Sequence, residues 1–406
     1  MLIVFTISSI LVLLFEVIFL LVNASGMHWL LHVLLLGYGV IGSIISIKKC
    51  VSNYKQNVGE EYLDLGIKYL EGKGVKKDYN IAYNYFLKAS NYGSLEAMHR
   101  IGYMYDNGYG FKQSFKDAYN WYLKAANQGY SKSQNSVGNM TENGEGVKVD
   151  LLAALDWYIL AAEQGNELAK ENISGLKGRI DSNRLYNEAV DYYYNSKNYI
   201  KAFYRMRRAA YLENKNAYFL LGQMYEGGEG TLKDYDKSFK FYYMSAECGN
   251  SLAMNRVGIF YRNGYGVSQD LKKAFEWYQK SASHGEGAAL CNLGDMYSLG
   301  IYVKENHFTA LDYYHKAANN GYIDAYFEIG YHYYYGKGTL VDYPKAVYWF
   351  SKGAKVGNDK CEYGLGICYL NGFGVTKNRY TAKTYLKKAA DKGNEDAAKT
   401  IKEFEL

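Results

Sequence analysis

The sequence predicts an all-α protein: an α-solenoid of stacked antiparallel helix pairs behind two N-terminal transmembrane helices. Three observations predict it. Glycines recur every 36 residues; there is one proline against 42 glycines and 46 tyrosines in 406 residues; and two long apolar runs are confined to the first fifty positions. A single proline argues against proline-rich linkers, and regular glycine argues for helices punctuated by turns. The formal net charge of +6 is small for this length, so nucleic-acid binding by bulk charge is not indicated. Five cysteines (Cys50, Cys248, Cys291, Cys361 and Cys368) show no paired spacing. That pattern is neither a disulfide framework nor a zinc cluster, and it suits a reducing compartment.

Residues 1–50 read as a membrane anchor. Leu2–Val22 carries one charge, Glu16, and Trp29–Ile47 is interrupted only by His32 and two serines. About 20 apolar residues rising 1.5 Å each cross a ~30 Å hydrocarbon core. Lys48, Lys49 and Lys55 follow the second run, whereas no Lys or Arg precedes the first or separates the two. The positive-inside rule then puts residue 48 onward in the cytoplasm, at a bacterial inner membrane. An alternative treats residues 1–24 as a cleaved signal, which the absent basic n-region disfavours. In that case the second run still crosses once. Glu16 reads as a protonated or interface-facing carboxyl in a helix pair. His28 and His32, four apart, read as interfacial polar residues beside Trp29 rather than metal or haem ligands. Residues 51–60 are a linker.

From residue 61 the chain repeats. Gly66, Gly102 and Gly138 are spaced by 36, as are Gly222, Gly258, Gly294, Gly330 and Gly366. Six and twenty-seven residues after each of these anchors stands another glycine, without exception in the eight units. Twelve after the anchor come Asp78, Ser114, Asp150, Asp234, Asp270, Asn306, Asp342 and Asn378. Each is a good N-cap, so a helix begins there in each unit. Pro344, two after Asp342, lies in a first turn where proline is tolerated. Along that helix a small residue, then an aromatic (Tyr85, Trp121, Trp157, Phe241, Trp277, Tyr313, Trp349, Tyr385), then small residues recur at helical spacing. This is a packing face, with the aromatic column in the core. The anchor glycine lies on the other helix of the pair and lets two helices approach closely. The Gly-x-Gly between the helices, as in Gly108–Tyr109–Gly110, supplies positive φ in a compact turn. No strand precedes it, which argues against phosphate cradling.

The pattern, best seen in Ile101–Ala126 and Val257–Ala282, resembles the Sel-one-like repeat (SLR), a relative of the tetratricopeptide repeat. The resemblance covers about residues 58–402. It implies a right-handed superhelix of antiparallel helix pairs, used mainly as a protein-binding scaffold. Two stacks, 61–169 and 214–406 with a C-terminal capping helix, flank an irregular tetratricopeptide-like unit at 170–213. There the anchor interval jumps from 36 to 84 between Gly138 and Gly222. Asn172–Asn183 reads as the linker of that unit. Thr141 replaces a usual tyrosine and Tyr302 a loop glycine, which predicts local alteration.

No catalytic constellation stands out in the sequence, and repeats spread polar residues along a line; the reading is not an enzyme, with no cofactor and no metal. In the tetratricopeptide architecture the first helix of each pair lines a concave groove. By that resemblance the groove positions are Tyr103, Asp106, Asn107, Gln223, Glu226, Arg262, Asn263, Asp295, Tyr331, Tyr334 and Tyr335, a mixture of tyrosine, amide and charge suited to protein or peptide recognition. Arg205, Arg207 and Arg208 form the densest basic knot and read as solvated surface. The reading is therefore a membrane-anchored adaptor that binds a protein partner. The alternatives are an immunity protein sequestering a secreted bacterial toxin, such as a phospholipase effector, and an assembly factor for an envelope complex.

Overall fold

The computed structural model describes residues 28–405, with side chains from Lys48 onward apart from Cys50 and Val51. Twenty helices make up this part of the chain. The first, α1 (His28–Glu71), is followed by α2 (Tyr79–Asn91), α3 (Leu95–Asn107), α4 (Phe115–Ala126), α5 (Ser131–Asn143), α6 (Leu151–Glu163) and α7 (Glu167–Gly175). Then come α8 (Ser182–Tyr194), α9 (Tyr199–Tyr211), α10 (Lys215–Gly227), α11 (Tyr235–Glu247), α12 (Ser251–Asn263), α13 (Leu271–Ser283) and α14 (Gly287–Leu299). The last six are α15 (His307–Asn319), α16 (Ala325–Tyr335), α17 (Tyr343–Lys355), α18 (Asp359–Asn371), α19 (Arg379–Asp391) and α20 (Glu395–Glu403). Among the described residues the only β-type pairing is the isolated bridge Lys177–Ile180. The chain divides into two compact units, the first ending at Ile180 and the second beginning at Asp181.

Each helix pair is delimited by the chemistry of its ends. All eight N-cap side chains from Asp78 to Asn378 accept a backbone N–H of the first turn. Pro344 sits in the first turn of α17. The preceding helix of most pairs ends on a glycine in the left-handed region, as at Gly264, φ 73°. The second loop glycine has a different role. A Cβ on Gly266 would fall 2.2 Å from the carbonyl oxygen of Tyr235 in the preceding pair. The missing side chain lets this loop lie directly on its neighbour's backbone. Tyr302 occupies that column with φ 64°, and its ring lies 5.6 Å from that of Phe275.

The core column differs from the expected one by a single residue. Phe86, Tyr122, Tyr158, Tyr242, Tyr278, Tyr314, Phe350 and Leu386 are buried, each one position after the predicted aromatic. Each packs on the anchor glycine of its own pair: a Cβ at Gly102 would meet Tyr122 Cδ1 at 2.7 Å, and one at Gly294 would meet Tyr314 Cε1 at 2.6 Å. Of the predicted column only Phe241 and Trp277 are buried. The others are half-buried rings, several roofed by a lysine, such as Lys124 over Trp121 at 4.8 Å and Lys316 over Tyr313 at 5.3 Å. Successive helix positions are about 100° apart, so one step separates the ring on the glycine from the ring at the rim.

Residues 51–60, read as a linker, are helical and run without a break into the first repeat helix within α1. The stretch holds no proline, and Gly59 packs there against Tyr92, which a Cβ would meet at 3.2 Å. Among the described residues no helix is long and apolar enough to cross a membrane. The apolar run Leu2–Val22, with Glu16, lies outside the described residues. Trp29–Ile47, which contains His32, and the preceding His28 fall in the part of α1 whose side chains lie outside them.

Candidate functional site: the first-helix face of the repeats

The hydroxyls of the buried tyrosines determine the chemistry of this face. Each ring crosses its anchor glycine and delivers its oxygen to the first helix of the pair. Tyr158 donates to Glu142 at 2.8 Å, Tyr242 to Glu226 at 2.6 Å and Tyr314 to Asp295 at 2.8 Å. Tyr122 lies beside Asp106, and this contact opposes the burial that raises the Asp106 carboxyl. Four residues after the anchor stands the acid in three of these units. Where the buried side chain has no hydroxyl (Phe86, Phe350, Leu386), that position is Leu70, Tyr334 or Leu370. A buried hydroxyl requires an acceptor, and the chain supplies one for Tyr122, Tyr158, Tyr242 and Tyr314, whereas in the repeat of Tyr278 the position matching Glu226 is Arg262.

Three of the predicted partner-binding residues, Asp106, Glu226 and Asp295, are therefore also acceptors for the fold's own tyrosines. Glu226 is further paired with Arg256 at 3.6 Å. Burial raises Asp295 above the usual carboxylate range, against the hydrogen bond from Tyr314 and the field of Arg262. Glu328, on α16, is pushed up to about 7 by burial and by Asp295.

In the first unit, Tyr103 is exposed and meets Tyr109 edge-on at 5.7 Å. Asn107 donates from its side chain to the Tyr103 carbonyl at 2.8 Å, closing the end of α3. In the second unit Asn263 is exposed at the end of α12 and Arg262 is half-buried beside it. Gln223 lines a cleft of about 440 Å³ with Tyr186, Tyr194, Phe219 and Cys248. A side-chain bond between Asn292 and Asn255, 2.9 Å, links α14 to α12 on the same face.

Tyr331, Tyr334 and Tyr335 do come together, with Tyr331–Tyr335 ring centroids at 4.6 Å and Tyr334–Tyr335 at 4.8 Å. Their environments differ. Tyr334 packs inward against Tyr343 and Phe373, and burial pushes its hydroxyl up to about 12. Tyr335 is 58 % exposed. Tyr331 is half-buried, with Phe327 on one side at 6.1 Å and Lys337 over its ring at 5.0 Å.

The basic knot is not solvated surface. Arg205 donates to Glu188 at 2.6 Å and lies over the Tyr192 ring at 4.9 Å. Arg207 is buried, and both it and Arg208 are engaged. Among the described residues no group of three His, Cys, Asp or Glu side chains could hold a metal. The cysteines Cys291, Cys361 and Cys368 are free and buried, and Cys248 is free and exposed. Sequence reasoning missed Tyr242, Tyr278, Tyr314 and Glu328. The column twenty residues after the anchor, one step beyond the predicted aromatic, would have found the first three.

The Sel1 repeat profile matches residues 62–94, 95–130, 131–166, 215–250, 251–286, 287–322, 323–358 and 359–394. The chain belongs to the Sel1 repeat family, whose members are generally non-enzymatic protein-interaction scaffolds. It is similar to a protective antigen of uropathogenic Escherichia coli strains displaying an SLR fold, with 30% identity, 84% of this chain and 78% of that one covered, and a TM-score of 0.51. A Sel1 repeat protein from Oxalobacter formigenes matches at 24% identity, 88% and 90% coverage and a TM-score of 0.44. An immunity protein from Pseudomonas aeruginosa matches at 25% identity, 45% and 67% coverage and a TM-score of 0.35. No curated protein matches the chain.

Proposed function

We propose that this Sel1 repeat protein is a membrane-tethered adaptor that binds a protein partner on the first-helix faces of its repeats. The observation that carries the reading is the contrast between columns. The rings on the anchor glycines are enclosed and nearly uniform, whereas the surface of the same first helices changes from unit to unit between tyrosine, amide and charge. Exposed aromatic side chains with two rotatable bonds, such as Tyr103 and Tyr335, offer large contact area at small entropy cost. Rigid capped helices hold them in place, so little ordering is required on binding.

The tether rests on the two apolar runs before Lys48. Both Lys48 and Lys49 are exposed, and lysines at this point of the chain favour a cytoplasmic repeat array. Confinement to a membrane face raises the concentration of the array near membrane partners. Affinity capture with detergent-solubilised full-length protein tests the partner surface. Tyr331→Ala with Tyr335→Ala is expected to lose captured protein while the thermal midpoint stays within a few degrees. Equal capture rejects that patch. Alkaline phosphatase fused after Leu406 tests the side: activity there refutes the cytoplasmic placement.

A further inference from the structure

Two seams between successive first helices are closed by paired amides. Asn292 donates to Asn255 at 2.9 Å between α14 and α12, and Asn172 donates to Asn135 at 2.9 Å between α7 and α5. Asn255 and Asn135 stand three residues before their anchor glycines, and Asn292 stands two before its own. In the irregular unit the buried Ala189 takes the anchor's place: α8 begins seven residues before it and ends five after it, as α10 does around Gly222. The matching residues of the α8–α10 seam are then Tyr186 and Leu220, and a leucine side chain makes no amide bond. This seam opens instead into the cleft of about 440 Å³. Tyr186, Val190 and Phe219 give it an apolar wall, and Lys215, Asn216 and Gln223 give it a polar one. Lys215 is exposed and forms no ion pair among the described residues, and no acidic side chain lines the cleft. The side-chain amides of Asn216 and Gln223 have no hydrogen-bond partner among the described residues.

We propose that the α8–α10 cleft receives an extended segment of the partner protein that carries an apolar side chain beside an Asp or Glu. The proposal rests on the reading of the first-helix face as the partner surface. Each part of the lining has a counterpart in such a segment. The apolar side chain leaves water against Tyr186, Val190 and Phe219, as anchor residues do in interface pockets. A side-chain amide offers one acceptor and two donors, so Asn216 and Gln223 match the C=O and N–H groups of an extended backbone. The carboxylate meets Lys215, whose charge no acid of the lining neutralises. The cleft is also within the size range of ligand pockets, about 300–1,000 Å³.

Cys248, free and exposed, lines the same cleft and reports on its occupancy, whereas Cys291, Cys361 and Cys368 are buried. The test selects a displayed random peptide library on the full-length protein in detergent, with Cys50→Ser as background. Winners are measured by fluorescence anisotropy and by the rate at which a maleimide modifies Cys248. They are expected to show an apolar residue within two positions of an Asp or Glu, enriched at least fivefold over the input. At saturation they should slow the modification at least tenfold, and they should bind K215E and Y186A at least tenfold more weakly. Lys215 is the first residue of α10, where an acid suits the helix dipole, so K215E decides if Y186A lowers the thermal midpoint. Winners that leave the modification rate unchanged, carry no acid, or bind K215E as tightly as wild type overturn the proposal. So does a modification rate that falls as protein concentration rises without peptide, which puts a second copy in the cleft. If winners that leave Cys248 open are lost on Tyr331→Ala with Tyr335→Ala, the partner-surface reading stands without it. If they are indifferent to every substitution, or no peptide is enriched, both fail.

Discussion

Replacing Gly138 by alanine tests the central packing device of the repeat. An ideal Cβ there would lie 2.6 Å from Cε1, 2.7 Å from Cδ1 and 3.2 Å from Cζ of Tyr158. Ordinary carbon contacts begin near 3.5 Å, so the ring must retreat by roughly 1 Å. It has little room, because Tyr158 is fully buried and its hydroxyl is held by Glu142 at 2.8 Å. Overpacking of this kind costs ~1–3 kcal/mol, and the better helix propensity of alanine returns up to ~1 kcal/mol. The net expectation is a loss of about 1–2 kcal/mol. Urea unfolding followed by circular dichroism measures it, comparing midpoints because repeat arrays need not unfold in one step. Tyr158→Phe frees the ring from Glu142, so the penalty of Gly138→Ala should shrink by at least ~0.5 kcal/mol in that background. Gly175→Ala is the control: it is helical, and nothing lies within 4 Å of its Cβ. That variant should match or exceed wild type. If Gly138→Ala also unfolds at or above the wild-type midpoint, the ring-on-glycine account is wrong.

Three further outcomes are expected. Asp234 accepts the Lys237 N–H at 3.0 Å as the N-cap of α11, and Asp234→Ala should cost ~1 kcal/mol, read as a lower urea midpoint. Tyr302→Gly relieves a positive φ held by a half-exposed tyrosine; relief of ~1 kcal/mol should outweigh the lost ring contact and raise that midpoint. His332 is buried, and burial lowers its pKa to about 4 from 6.5, with the Glu328 carbonyl opposing and His307 and Lys337 assisting. Above pH 6.5 neither state binds the proton and stability is complete. As pH falls towards 4 the unfolded chain takes the proton first, and stability drops by on the order of 2–3 kcal/mol. Glu328, raised to about 7, acts in the opposite direction: it favours the folded state at low pH and withdraws that support as pH rises through 7. His332→Met places the side chain found at the matching position in Met104 and Met296, and should abolish the acid-side loss below pH 6.5. An unchanged pH profile in that variant would show that His332 titrates normally.

Periodicity made the helix pairs legible. N-caps and capping glycines act within a few residues of themselves, so Asp78 and Gly264 declare a helix end wherever they occur. Residues 51–60 stay helical across the change in composition, because such a change marks a change of environment, not a break in a helix. The basic knot was misread because three arginines on one helix point in different directions: Arg205 reaches Glu188 while Arg207 is buried.

By itself the sequence determined the number, length and phase of the repeats, since a 36-residue period with local caps leaves little freedom in where each helix starts and stops. Only the tertiary structure decided which of two adjacent columns meets the glycine, because neighbouring helix positions differ by about 100° and either can be turned inward by its partner helix. It also decided that Asp106, Glu226 and Asp295 serve the fold's own tyrosines, and that Tyr278 is left without an acceptor. Whether a buried hydroxyl is satisfied depends on atoms sixteen or more residues away along the chain, and that distance closes only when the helices pack.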